Sequence, residues 1–361
     1  MRKWQQLALI ALGLGVAMML VALLLVGFEF RKLDVTEAVQ TQARAMSCLV
    51  ARTAEQSTSD VVRAIDVFGG MQDVNVCIVD GTEITLEYTD SDLMYWEVER
   101  TGDGTLKMTL RSDIQWYDYV GMHFPKEDSL TIGLPSDAVL DALRLSTTSG
   151  NIDVSRLPQI TELALSSTSG DWQLRNLSVQ GALSVSTTSG NGDVRAVSAD
   201  SLLLKSTSGC MDLDEVDVHG DVVAGSTSGN ISVMGLNAGG SVQLSSTSGC
   251  ADAESCTAKA WTASSLGGEQ LLTNVQTDSA IQLNTTSGNV QLRGSSAGQI
   301  DIGTTSGSVV AALPENAAAY GIRAETTSGD AHVPEGAHGD CPVSIQTTSG
   351  SIHVTCENNG K

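Results

Sequence analysis

Aromatic residues make up only 4% of this 361-residue chain, and it has just 6 prolines. Charge is also thin at 17%, and its positive part is thinner still, with 20 Lys+Arg against 42 Asp+Glu and a formal charge of −22. The shortage of basic residues excludes a nucleic-acid partner, because phosphate binding needs Lys/Arg to displace counterions. The seven cysteines include no CxxC pair, which leaves a structural zinc site without support. No helical apolar stripe survives beyond residue 143, so a helical repeat is excluded there. Global disorder is excluded by a 41% hydrophobic content in regular positions.

What is present begins with a long apolar run. Leu7 to Phe28 passes 22 positions without a charge, and at about 1.5 Å per helical residue it spans a hydrocarbon core of about 30 Å. A cleaved signal peptide would have an apolar stretch of about 7–15 residues and a small-residue cleavage site, which Gly27-Phe28-Glu29-Phe30-Arg31 does not offer. Residues 1–32 are therefore expected to be one retained transmembrane anchor. Arg2 and Lys3 precede the run and Arg31 and Lys32 follow it, so side-chain charge scarcely sets its orientation; the amino terminus tips it toward the inside. The anchor carries +3, which leaves −25 on the remainder, an acidic body tethered to a membrane.

From residue 141 onward one tetrapeptide recurs. Thr147-Thr148-Ser149-Gly150 is followed by copies ending at Gly170, Gly190, Gly209, Gly229, Gly249, Gly288, Gly307, Gly329 and Gly350. One worn copy, Ser264-Ser265-Leu266-Gly267-Gly268, fills the double gap. A period near twenty is a solenoid signature. Apolar residues lie seven and five positions before each glycine (Leu143/Leu145, Leu163/Leu165, Leu183/Val185) and two and four after it (Ile152/Val154, Trp172/Leu174, Ile231/Val233). Spacing of two on both flanks is strand periodicity. A further apolar column follows seven after the glycine, at Leu157, Leu177, Val197, Val216, Leu236 and Val275. The fold class is thus an all-β, single-stranded β-solenoid of about eleven rungs, roughly 50 Å long at about 4.8 Å per rung.

The turn chemistry agrees with that reading. Ser and Thr stabilise turns through their own backbone, Gly is expected to supply positive φ, at Gly229 for example, and stacked hydroxyls should form a ladder. Asn or Asp often follows the glycine, as at Asn151, Asp171, Asn191 and Asn230. Ahead of the repeats, residues 33–60 read as a linker or stalk. Residues 61–140 carry strand-like runs at Val74–Val79, Glu83–Tyr88, Thr105–Arg111 and Ser129–Leu134 and hold most of the aromatics. That region is expected to be a β cap with irregular first rungs, since a solenoid needs atypical ends.

The combination resembles the bacterial putative-adhesin β-strand-repeat family (domain of unknown function 4097). The likeness is carried by the anchor ending Gly27-Phe28-Glu29-Phe30, the Trp116-Tyr117-Asp118-Tyr119-Val120-Gly121-Met122 run, Ile132-Gly133-Leu134-Pro135 before the first rung, and the serial turns. The resemblance implies a β-solenoid outside the cytoplasmic membrane with a role in adhesion or envelope sensing. It supplies no catalytic residues.

Individual candidates for chemistry are weak. Of Cys48, Cys77, Cys210, Cys250, Cys256, Cys341 and Cys356, an odd number, Cys210 and Cys250 stand two rungs apart, about 9–10 Å and too far for a disulfide. Cys256 falls in an apolar column, and Cys341 with Cys356 are placed to bridge adjacent rungs. Five histidines (His123, His219, His332, His338, His353) are scattered, with His332 and His353 one rung apart as an outward stacked pair or a metal pair. Asp212, Asp214, Glu215, Asp217 and Asp221 form an acidic run that suits a solvated edge or weak calcium binding. A polysaccharide-cleaving site would want converging carboxylates and aromatic platforms, yet residues 143–361 hold only Trp172, Trp261 and Tyr320. A serine beside every turn glycine is repetition rather than an activated nucleophile. Ice binding needs flat threonine arrays, whereas these hydroxyls sit at a turn.

No enzyme, catalytic residue, metal site or cofactor is therefore expected. The function expected is that of a structural or interaction protein at the cell envelope, a single-pass membrane protein with its C-terminal domain outside the cytoplasm. Its partners would be the membrane, through residues 7–28, and a surface protein or glycan. Alternatives of the same architecture are a cytoplasmic-facing, bactofilin-like scaffold and an envelope-stress regulatory partner.

Overall fold

The computed structural model describes residues 52–58, 61–90, 94–112 and 129–356. The expected anchor, most of the stalk, Cys48, His123 and the Trp116–Met122 run lie outside the described residues. Among those described, the only helix is a 3-10 turn at Ala317–Ala319, and no helix is long and apolar enough to cross a membrane.

Each rung is a strand before the tetrapeptide and a strand after it, stacked in parallel into two facing sheets. Register is strict. In the first sheet Leu143, Leu163, Leu183, Leu202, Val222 and Val242 lie opposite one another, then Trp261, Ile281, Ile300 and Val343. In the second sheet Ile152, Trp172, Gly192, Met211, Ile231 and Ala251 form the facing column. These residues are almost wholly buried, and the alternate positions face out. A fully buried side chain of this size contributes about 1.5–3 kcal/mol, so the core of such a thin rod resides in these columns. Bulk alternates along them: a Cβ on Gly192 would fall 1.9 Å from the Trp172 ring, so the glycine accommodates the indole. The apolar column seven after the glycine is also buried, except that Leu157 is half-exposed.

The tetrapeptide glycines are needed for a reason other than the expected positive φ. None of them has it; among described glycines positive φ occurs at Gly81, Gly104, Gly235, Gly294 and Gly336. What forbids a side chain is the rung beneath. A Cβ at Gly229 would lie 1.9 Å from the Gly209 carbonyl oxygen, and at Gly170 it would lie 1.9 Å from that of Gly150. Left-handed backbone falls six residues later, in a second column: Arg156, Asn176, Ala196, Glu215, Gly235, Ser255, Asn274 and Gly294, with φ from 50° to 64°.

Chain order and spatial order part at both ends. The strand Ala64–Phe68 lies between Val139–Thr147 and Thr105–Ser112, so the rung it begins is interior, although it precedes both of them in the chain. At the other end Cys341–Ser349 lies between Gln299–Thr304 and Tyr320–Ser328, which makes the Gly329 rung terminal and the Gly350 rung interior. Beyond the first rungs the strands turn antiparallel: Met94–Arg100 on Thr105–Ser112, and Ile84–Asp90 between Ser129–Pro135 and Arg52–Thr58. Cys341 and Cys356 accordingly belong to one rung, not to adjacent ones, and remain separate thiols.

Candidate interaction surface

The turn edge is built from the tetrapeptide outward. Its first hydroxyl is turned inward and accepts a hydrogen bond from the glycine N–H of its own rung, at 2.7 to 3.2 Å from Ser167 through Thr304. In the last rungs Thr347 and Thr326 instead donate to the glycine carbonyl of the neighbouring rung, at 3.0 and 2.9 Å. The expected hydroxyl ladder is thus mostly a set of caps within rungs. Cross-rung bonding at this edge is carried by the backbone, as in Ser228 N–H to Thr207 carbonyl at 2.8 Å. It is also carried by the Asn/Asp column. Asn151, Asp171, Asn191, Asn230 and Asn289 each accept, through Oδ1, from the backbone N–H of the next rung at 2.8–3.0 Å. Cys210 and Cys250 occupy this column where it lapses, half-buried and two rungs apart.

With the first hydroxyl inward, the second and third residues of each tetrapeptide are exposed. Threonine fills the second place in every rung but one, where Leu266 stands. Along the last five rungs this ridge borders an open trough of about 1120 Å³ on the outer face of the first sheet. Ser264, Asn284, Gly303, Gln346 and Glu325 form its floor, and Thr286, Thr305 and Thr348 stand along its side. Gly303, one of the outward positions on that floor, carries no side chain. The lining offers hydroxyls and amides at rung spacing and a single carboxylate. Sequence reasoning gave the hydroxyls but not the trough, because the outward strand positions that line it vary from rung to rung and leave no mark on the repeat.

The other candidates do not converge. His332 and His353 are exposed on neighbouring rungs with ring centroids 6.0 Å apart at 73°, and His219 Nδ1 sits 3.1 Å from Asp200. Of the acidic run, Asp221 accepts from the Ser241 N–H at 2.8 Å and Asp217 from the Asn237 amide at 2.9 Å, both cross-rung braces. Asp212 and Asp214 line a smaller groove of about 290 Å³ with Asp252 and Glu254. No group of three potential ligands able to hold a metal occurs among the described residues. Cys256 is fully buried, and burial raises its thiol pKa. Arg175 forms ion pairs across rungs with Asp153 at 3.9 Å and Asp193 at 3.7 Å, and Asp193 also pairs with Arg195 on its own strand at 2.9 Å.

Fold and surface together define a class: a parallel β-solenoid with a largely apolar, repetitive core and a small-residue, polar outer face, closed at its N-terminal side by antiparallel strands. The Toastrack DUF4097 profile matches residues 63–269 and 221–360, and the chain belongs to that family. Among solved structures it is similar to a putative lipid binding protein from Parabacteroides distasonis, at 13% identity over 85% of this chain and 97% of that one, TM-score 0.35. It is also similar to a putative adhesin from Parabacteroides merdae, at 13% identity over 85% and 96%, TM-score 0.33. A third is a putative cell adhesion protein from Clostridium sporogenes, at 10% identity over 85% and 100%, TM-score 0.25. No curated protein matches the chain. The assignment rests on the family match.

Proposed function

We propose that the chain is an interaction protein of the bacterial cell envelope, tethered by residues 7–28 in the membrane and holding its solenoid outside the cytoplasm, where it engages a surface protein or glycan in the manner of an adhesin. The observation that supports this most is the trough beside the threonine ridge: about 1120 Å³ of open, hydroxyl- and amide-lined surface on a rigid scaffold. An array of short polar side chains fixed at rung spacing suits an extended partner, because little side-chain entropy is lost on contact. The scaffold reading is less favoured. A filament grown by stacking ends would need rung to meet rung in parallel, and the N-terminal side finishes in antiparallel strands.

The test begins with location. Protease shaving of intact cells should remove a C-terminal epitope tag, and protection until lysis would sink the extracytoplasmic reading. Thr286→Arg with Thr305→Arg should then abolish attachment of the tagged protein to whole cells, while leaving its melting temperature within a few degrees of wild type. Undiminished attachment would remove the trough from the proposal.

A further inference from the structure

The Tyr320–Ser328 strand ends the first sheet on its C-terminal side. It pairs with Cys341–Ser349 on one side and has no second strand neighbour among the described residues, apart from an isolated bridge between Gly321 and His338. Nine residues long, it carries no lysine, proline or bulge, the devices that usually protect an edge. Its core-facing side chains are also only half covered. Ile322, Ala324 and Thr326 are partly exposed, whereas their register partners Val343, Ile345 and Thr347 are buried. Among the described residues nothing closes the end of the apolar core at this strand.

The strand is complementary to itself. Arg323 and Glu325 flank Ala324 on the outward face and pair with each other at 2.7 Å, with side chains 74% and 54% exposed. In an antiparallel pair of two such strands centred on Ala324, Arg323 of each copy lies opposite Glu325 of the other. Ile322 then lies opposite Thr326, so core-facing residues meet core-facing residues, because side chains alternate along a strand. At the other end, centring Met94–Arg100 on Val98 would instead set Glu97 against Glu99. From this we infer that two copies of the chain join tail to tail through residues 322–326, closing each other's open core with a pair of reciprocal ion pairs. The occupant of this edge is a second copy of the same chain. The inference is independent of where the protein resides.

Sedimentation velocity on the full chain in detergent micelles tests it. The wild type should contain two 37.7 kDa chains per particle. Arg323→Glu or Glu325→Arg alone turns both ion pairs into like-charge contacts and should weaken the dimer about 10–30-fold. The double variant R323E/E325R should dimerise like wild type, and mixing the two single variants should restore a heterodimer. A wild type that stays monomeric up to about 100 μM would overturn the proposal. So would a dimer indifferent to the single reversals, or single variants that fail to recover on mixing. Both sites are exposed, so the single variants should melt with the wild type. Should they not, the mixing result still separates lost pairing from lost folding.

Discussion

Replacing Gly229 by alanine tests the stacking argument at its tightest point. The added carbon would lie 1.9 Å from the Gly209 carbonyl oxygen, 2.5 Å from its carbon and 2.9 Å from Ser226 Oγ. Ordinary contact begins above about 3 Å, so the two rungs must part by roughly 1 Å, and the first two atoms met are backbone that cannot rotate away. Parting strains the bonds that join these rungs nearby, Ser228 N–H to Thr207 and Met211 N–H to Asn230, at 2.8 and 2.9 Å. Overpacking and two weakened hydrogen bonds together cost about 2–4 kcal/mol. Two controls isolate the cause. Gly267→Ala, whose Cβ would meet nothing closer than 3.7 Å, should change stability by less than about 0.5 kcal/mol. Ala196→Gly, at φ 50°, should stabilise by up to about 1 kcal/mol by relieving left-handed strain. Urea titration followed by circular dichroism reads all three, and a weakened central interface should also split the transition, since rungs couple only to neighbours. A Gly229→Ala curve superimposed on wild type would refute the close-approach argument.

Three further outcomes follow from the same packing. Iodoacetamide on the native chain should label the half-buried Cys210 and Cys250 orders of magnitude faster than Cys256, whose thiol pKa is raised by burial; equal rates before unfolding would contradict the packing. Burial, and then the charge of Glu269, raise the Asp252 pKa, so the folded chain keeps that proton to higher pH than the unfolded chain, and stability falls as pH rises through that window. Asp252→Asn should therefore stabilise at pH 7, by less than about 0.5 kcal/mol because the side chain is exposed and screened, and the gain should vanish below about pH 3.5; a gain that persists there would refute the cause. In hydrogen exchange the amides of Ile352–Cys356 should be better protected than those of Tyr320–Ser328, although the former lie nearer the chain end. The reverse order would deny the exchanged rungs.

The features legible in the sequence are those that repeat. Two-residue spacing around each glycine gave the strands, their facing and the period, because every rung buries the same positions. The role of the glycines was not legible, since positive φ and a carbonyl at 1.9 Å demand the same residue. The true left-handed column could not be seen either: only Gly235 and Gly294 of its eight members are glycine, and Arg156, Ala196 and Glu215 carry no turn signature. The trough is lined by outward positions that vary from rung to rung, and the self-complementary edge depends on which rung is last in space.

That last point has a physical logic. A solenoid rung at the chain terminus would be bonded on one side and tethered at one end, the arrangement most prone to fray. Here the edge rung, 320–332, is held by the chain on both sides of it, through 314–319 and 333–340. The final strand Ile352–Cys356 is bonded to Val309–Leu313 on one side and Ala331–His332 on the other. On the N-terminal side Asp73–Val79 is likewise interior, between Ser129–Pro135 and Ile152–Ser155, although there the outermost strand, Arg52–Thr58, is also the first described in the chain. Each exchange adds one loop that skips a rung, a closure cost that grows only slowly with loop length. In return the last described rung in the chain is not the last in space. The edge left open at Tyr320–Ser328 is therefore a firmly held strand rather than a fraying one, which is the condition for an edge to receive a partner in a fixed register.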